Sequence, residues 1–166
     1  MEDKESRPIV ADSSPLISAA RANKLQLIQQ VYGKLIVPPA VYRELVAKGA
    51  GKPGAEEIES ASWITVQEPT DQKEVERIRK RLDPGESESL VLAQELSATL
   101  LADEKAVIEE ARKSGLKIAS THLLLEEAKR HGLIASVKEA LDEYIASGFR
   151  TTPELIHDSL KKVGEE

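Results

Sequence analysis

Apolar positions gather in five short runs along the chain: "PIVAD" (8–12), "KLIVP" (34–38), "WITV" (63–66), "ATLLAD" (98–103) and "LKIAS" (116–120). Most of their residues are β-branched or leucine, and each run is followed by a stretch in which apolar residues recur at helical spacing. A run that is apolar on successive residues suits a strand buried on both faces. Alternation of such runs with helices therefore predicts βαβ units and a parallel sheet covered on both sides. The fold class is α/β.

Helix starts are marked by proline: Pro15 after Ser13 and Ser14, Pro38 and Pro39 before "AVYREL", and "DPGE" (83–86) before "SESLVLAQEL". Another helix opens at Leu123, Leu124 and Leu125 after the fifth run. Gly132 separates it from the helical stretch "LIASVKEALDEYIASG" (133–148), and Thr152 ahead of Pro153 starts a final short helix over "TPELIHDSLKKV" (152–163). The chain thus divides into a charged tail (1–7), a domain over 8–135 and a C-terminal helical extension (136–166) packed on it. One linker-like piece stands out, "KGAGKPG" (48–54). Its Gly49, Gly51 and Gly54 spell G-x-G-x-x-G, but a dinucleotide fingerprint must follow a strand and open a helix, and this one follows the helix "AVYRELVAK". Lys52 is followed by Pro53 where a Walker A loop needs Ser or Thr, so the segment reads as a loop with a helix C-cap.

The strand ends carry the candidate chemistry. Asp12 closes the first strand and Asp103 the fourth, and in open parallel sheets ligands bind outside the carboxyl ends of the strands. Glu86 opens a helix on the side of Leu90 and Ala93, whereas Glu88 is turned roughly 200° away from it at 100° per residue. Glu44 in "VYRELV" shares a stripe with Val41 and could also point inward. Each acid has a plainer role as well: Asp12 at the start of the Pro15 helix, Asp83 with Glu86 in a capping box, and Asp103 as N-cap of "EKAVIEEARK". Carboxylates that converge without a cation repel one another, so convergence implies a hard cation such as Mg²⁺ or Mn²⁺.

Composition narrows the alternatives. The absence of Cys removes a disulfide framework and, with no suitable His pair, argues against a zinc site. "MEDKESRP" lacks the apolar stretch of a secretory signal, and no run approaches the ~20 residues that span a bilayer, so the expected location is cytoplasmic, with no membrane partner. With 29 acidic against 23 basic residues and a net charge of −6, bulk charge does not announce nucleic acid; a local site could still bind it. Arg43, Lys105 and the cluster "RIRKRL" (77–82) are the candidate phosphate contacts. The plainer reading of that cluster is a solvated helix face paired with Glu74 and Glu76. Trp63 reads as core. His122 reads as a surface or capping residue without a partner in sight, and His131 and His157 say less. A dehalogenase-like phosphatase needs a second Asp where Ser14 stands. A receiver domain needs acids before Asp12 and a Lys after the last strand, which are missing.

The ordered set "IVADSSPLI", "IVPPAVYREL", "LDPGESESLVLAQEL", "TLLADEKAV" and "KIASTHLLLEEAKRHGLI" resembles the PIN domain, in particular the branch of VapC-type toxins from prokaryotic toxin-antitoxin pairs. The resemblance spans about residues 8 to 135. It implies a three-layer α/β/α sandwich around a central parallel sheet of four to five strands, with extra C-terminal helices here, and a metal-dependent endoribonuclease using Mg²⁺ or Mn²⁺. The family's acids fall on Asp12, Glu44, Glu86 and Asp103, with Asp12, Glu86 and Asp103 as metal ligands. Glu88 and Glu104 are the alternatives one or two residues away, and Ser13 and Thr121 are auxiliary polar positions. Where relatives in this branch commonly carry a Gly-Arg pair after the acids, this chain reads "DEKAVIEEA". The implied partners are an RNA substrate and an antitoxin protein. The apolar excess of the first helices, Leu16, Ile17, Leu25, Leu27 and Ile28, is mostly core with a homodimer seam as a further expectation. A non-catalytic RNA- or protein-binding module of the same fold is the competing reading.

Overall fold

Five strands of three residues each carry the five apolar runs: β1 (Ile9–Ala11), β2 (Leu35–Val37), β3 (Ile64–Val66), β4 (Thr99–Leu101) and β5 (Lys117–Ala119). In the computed structural model, which describes residues 7–166, they form one parallel sheet in the order β3-β2-β1-β4-β5. All of the tail expected over 1–7 except Arg7 lies outside the described residues. Val10 is in register with Ile36 on one side and Leu100 on the other, and Leu100 with Ile118. The chain winds outward from β1 to β3, then crosses back to lay β4 on the opposite side of β1.

The crossovers are helical. α1 (Ser13–Arg21) and α2 (Leu25–Tyr32) lead to β2; α3 (Pro39–Tyr42), a π-helical segment (Arg43–Ala47) and α4 (Ala55–Ser60) lead to β3. α5 (Gln72–Ile78) and α6 (Pro84–Leu96) lead to β4, and α7 (Lys105–Lys113) to β5. α8 (Thr121–Arg130), α9 (Val137–Ala146) and α10 (Pro153–Lys162) complete the chain.

Because successive strand side chains point to opposite faces, each run feeds two cores. Ala11, Leu35, Val37, Leu101 and Ala119 join side chains of α1, α2, α8, α9 and α10. Val10, Leu100 and Ala102 join those of α5, α6 and α7. Helix layers on both faces of a parallel sheet make the three-layer α/β/α sandwich. β3 departs from the expected pattern. It is an edge strand, and Val66 is 44% exposed there, because none of the described residues pairs beyond it.

The C-terminal helices explain the apolar surplus of α1 and α2. Val137, Ala140, Leu141, Tyr144 and Leu160 enter the same cluster as Leu16, Leu25, Leu27 and Ile28, all of which are buried within the chain. The expected homodimer seam therefore loses those four residues, and Ile17 stays half-buried. The helix expected over 133–148 starts at Val137, since Leu133 N–H closes α8 on the Ala128 carbonyl and Ser136 caps α9 through Glu139 N–H. Glu165 then ties α9 and α8 to the chain end. Its carboxylate accepts from Val137 N at 2.7 Å, Lys138 N at 3.0 Å, Ser136 Oγ at 3.1 Å and Lys129 Nζ at 2.9 Å. Gly54 settles the glycine motif as structural: its φ is +86°, and a β-carbon there would lie 2.5 Å from Ala20 Cβ. Among the described residues no helix is long and apolar enough to cross a membrane.

Candidate functional site

β1 and β4 are neighbours at the point where the strand order reverses, and such a switch point opens a crevice above the carboxyl ends of the two strands. Asp12 and Asp103 stand there. Asp12 is 2% exposed, and its Oδ1 accepts from Ser13 N at 2.8 Å, so it caps α1 and borders the crevice at the same time. Burial pushes its carboxyl up to about 7, against the lowering effect of the Ser13 bond, and the charges of Glu86, Asp83 and Glu44 push the same way.

Glu44 reaches the same space from the irregular helix after β2. Lys48 N–H bonds Arg43 O at 2.9 Å, one residue wider than an α-turn. A π-turn of this kind is frequent at functional sites. Gly85, in the first turn of α6, forms the floor between the acids. A β-carbon on it would stand 3.5 Å from Glu44 Oε1 and 3.7 Å from Asp12 Oδ1. The neighbouring Glu86 completes the expected capping box: Asp83 Oδ1 accepts from Glu86 N at 2.8 Å, and Glu86 Oε1 accepts from Asp83 N at 3.1 Å. Half-buried Glu86 titrates above the ordinary range, first through desolvation and then through Asp83, Glu104 and Glu44.

Asp103 is held differently. The capping role expected for it at α7 is not observed: Glu104 occupies that N-cap without a side-chain bond. Asp103 faces α8 instead, where Thr121 N donates to Oδ1 at 2.8 Å and Thr121 Oγ1 to Oδ2 at 2.6 Å. Its titration is raised by burial, which outweighs the Thr121 bonds and the nearby His122. Glu104 Oε2 accepts from Ser14 Oγ at 3.2 Å, linking α1 to the β4 end. His122 is no lone surface residue. It pairs with Ser159 Oγ at 2.9 Å through Nδ1 and with Thr151 Oγ1 at 2.7 Å through Nε2, and Ser159 donates to buried Glu126 at 2.5 Å. Burial lowers the His122 pKa, against the charges of Asp103 and Glu126.

Asp12, Glu44 and Glu86 are therefore brought around Gly85, with Asp83 as an acid the sequence reading treated only as a cap. Asp103 stands at the neighbouring strand end, and the charge of Glu104 raises the titration of both Glu86 and Asp103. Glu88 turns away and accepts from Ala40 N at 2.9 Å, holding the start of α3. Ser13 is buried and contributes its backbone N–H. Arg43 and Lys105 are exposed, Arg43 on the rim of the crevice and Lys105 at the start of α7. Among the described residues no three His, Cys, Asp or Glu side chains gather closely enough to enclose a metal ion. Mg²⁺ does not require that, since one or two carboxylates with retained waters commonly hold it. The donor chemistry fits a hard cation: every acid offers oxygen, and buried Asp12 has no basic partner among the described residues.

A family model described as the PIN domain matches residues 8–165 of the chain. The sequence matches no curated protein. Among solved structures, a PilT N-terminus domain protein from the hyperthermophilic archaeon Sulfolobus solfataricus P2 is similar, with 14% identity and a TM-score of 0.46 over 87% of this chain and 99% of that one.

Proposed function

The chain belongs to the PIN domain family, and from that premise we propose that it is an endoribonuclease dependent on Mg²⁺ or Mn²⁺. The observation that carries the reading is the meeting of Asp12, Glu44 and Glu86 around Gly85, beside Asp103, at the switch point of the sheet. A cation would offset the carboxylates gathered at this crevice, and the same cation would neutralise the negative charge that develops on a phosphodiester during cleavage.

A bound Mg²⁺ or Mn²⁺ supplies Lewis-acid polarisation of the phosphate and a more acidic water. The chain supplies position. Asp12, Glu86 and Asp103 are the groups we assign to the ion, one or two in direct contact and the rest through retained waters. Asp12 keeps Oδ2 free of hydrogen bonds while Ser13 N–H fixes Oδ1. Glu86 keeps Oε2 free while its Oε1 is held by the capping box. Asp103 is locked by Thr121 through both oxygens, each of which retains a lone pair for a further partner. Glu44 faces Asp12 across Gly85 and orients the attacking water or takes its proton.

The test is cleavage of mixed-sequence single-stranded RNA in Mn²⁺, in Mg²⁺ and in EDTA, beside Asp12→Asn and Asp103→Asn. Loss in EDTA and in both variants is expected. Equal cleavage by all three proteins would refute the site. We extend the proposal to the toxin of a toxin-antitoxin pair: expression without an antitoxin should arrest growth with the wild type and not with Asp12→Asn, and equal growth would overturn that extension. A second reading, a binding module without turnover, is favoured by one observation, the engagement of Glu86 and Asp103 in hydrogen bonds within the fold. RNA binding by a folded, metal-binding protein that never cleaves would select it.

A further inference from the structure

The cluster "RIRKRL" splits into two parts. Arg77 is locked to Glu74 by two bonds, Nε at 2.9 Å and a terminal nitrogen at 2.7 Å, and Arg81 pairs with Glu110 of α7 at 3.1 Å. Arg79, between them at the end of α5, makes no ion pair among the described residues and lines a cleft of about 430 Å³. Arg43 and Lys48, at the two ends of the π-helical segment, line the same cleft, also unpaired among the described residues. Its acids are Glu44, Asp83 and Glu88. Two of these are already occupied by backbone amides, Asp83 by Glu86 N and Glu88 by Ala40 N. Three cations without ion pairs among the described residues therefore face three carboxylates, of which Asp83 and Glu88 are each held in place by a backbone amide. The cleft ends at Gly85, the floor between Asp12 and Glu44.

We propose that this cleft binds the backbone phosphates of a single strand of RNA next to the scissile bond, through Arg43, Lys48 and Arg79. The proposal rests on the nuclease reading for the direction of the strand, not for its binding chemistry. The volume falls in the range of pockets that take one small ligand, about 300–1,000 Å³, and so suits a nucleotide unit and not a duplex. Basic side chains without protein partners are the groups that gain from phosphate, because pairing breaks no existing ion pair. The π-helical segment relates the groups: Arg43 opens it, Glu44 follows, and Lys48 caps its end, so both cations leave the same turn as Glu44.

Anisotropy of a labelled oligouridylate strand in EDTA, where metal-dependent cleavage is off, tests the cleft alone. Arg79→Ala and Lys48→Ala should each weaken binding several-fold and lower the slope of log affinity against log salt by about 0.7 per lost contact. Arg77→Ala, the same charge change on the same helix, should leave both unchanged. Equal effects of Arg79→Ala and Arg77→Ala would overturn the proposal, as would tighter binding of a labelled duplex than of the single strand. The same variants in Mn²⁺ separate the two ideas. Binding that depends on Arg79 without any cleavage keeps the cleft and rejects the nuclease. Cleavage that depends on Asp12, with binding indifferent to Arg79, keeps the nuclease and rejects the cleft.

Discussion

Replacing Asp12 by Asn should stabilise the metal-free protein, and the gain should depend on pH. The folded-state carboxyl titrates near 7 against 3.8 for an ordinary Asp, a shift caused chiefly by burial. A raised acid pKa means that the folded chain binds a proton which the unfolded chain has already released. The associated stability is complete below about pH 3.8 and is lost as pH rises through 7. About three units at 1.36 kcal/mol each set a ceiling of about 4 kcal/mol by pH 8. Asn keeps Oδ1 as acceptor for Ser13 N–H, so the α1 cap survives while the charge goes. Urea denaturation of wild type and variant in EDTA, from about pH 4.5 to about pH 8.5, measures the difference. It should grow up to about pH 7, level off above it, and shrink when Mn²⁺ is added, because the ion stabilises only the wild type. A difference that is flat with pH, or a variant less stable at pH 8, would refute the picture of an uncompensated buried charge.

Gly85→Ala should fold and gain up to about 1 kcal/mol from helix propensity, because its β-carbon meets only ordinary contacts of 3.4 Å or more. Cleavage should nevertheless fall at least tenfold, since the new methyl stands between Asp12 and Glu44; a thermal melt beside the RNA assay separates the two effects. Thr121→Val removes the hydroxyl that holds Asp103 Oδ2, so about 1–3 kcal/mol of stability should be lost. The acid limb of the cleavage profile should move to higher pH, and an unchanged profile would count against Asp103. Glu165, held down at about 2 because bonds from Lys129, Lys138, Val137 and Ser136 outweigh its burial, contributes stability present above pH 4.5 and lost as pH falls toward 2. Glu165→Gln should cost about 1–2 kcal/mol at pH 7, screened below its full shift, and nothing near pH 2, read by thermal melting.

Asp12 and Asp103 were legible in the sequence because a charge ending an apolar run has one physical address, the mouth of a parallel sheet. The capping box at Asp83 and Glu86 was legible too, since its partners are three residues apart. Glu44 was only half legible: an ideal helical wheel puts it on the stripe of Val41, but its approach to Asp12 runs across Gly85 of a different helix, a pairing that periodicity does not report. His122 lacked a visible partner because Thr151 and Ser159 lie about thirty residues on, across a helix packing that no local pattern encodes. Arg77 and Arg79 read alike until Glu74 claimed one and the cleft the other. The exposure of β3 followed from its place at the sheet edge, which depends on strand order and not on composition.

The central position of β1 bears on how the chain is made. β1 is the first strand to be synthesised, yet its second partner, β4, begins at Thr99. Until then a nascent chain carries an open apolar strand edge, the kind of surface on which chains pair with one another. Closing a loop of that length before the central ladder can form makes folding dependent on distant contacts, and such topologies fold slowly. The crevice forms at the same moment, because the strand that supplies the second partner of β1 also delivers Asp103. A truncated product ending before residue 99 would lack both β4 and Asp103, so unfinished chains should aggregate.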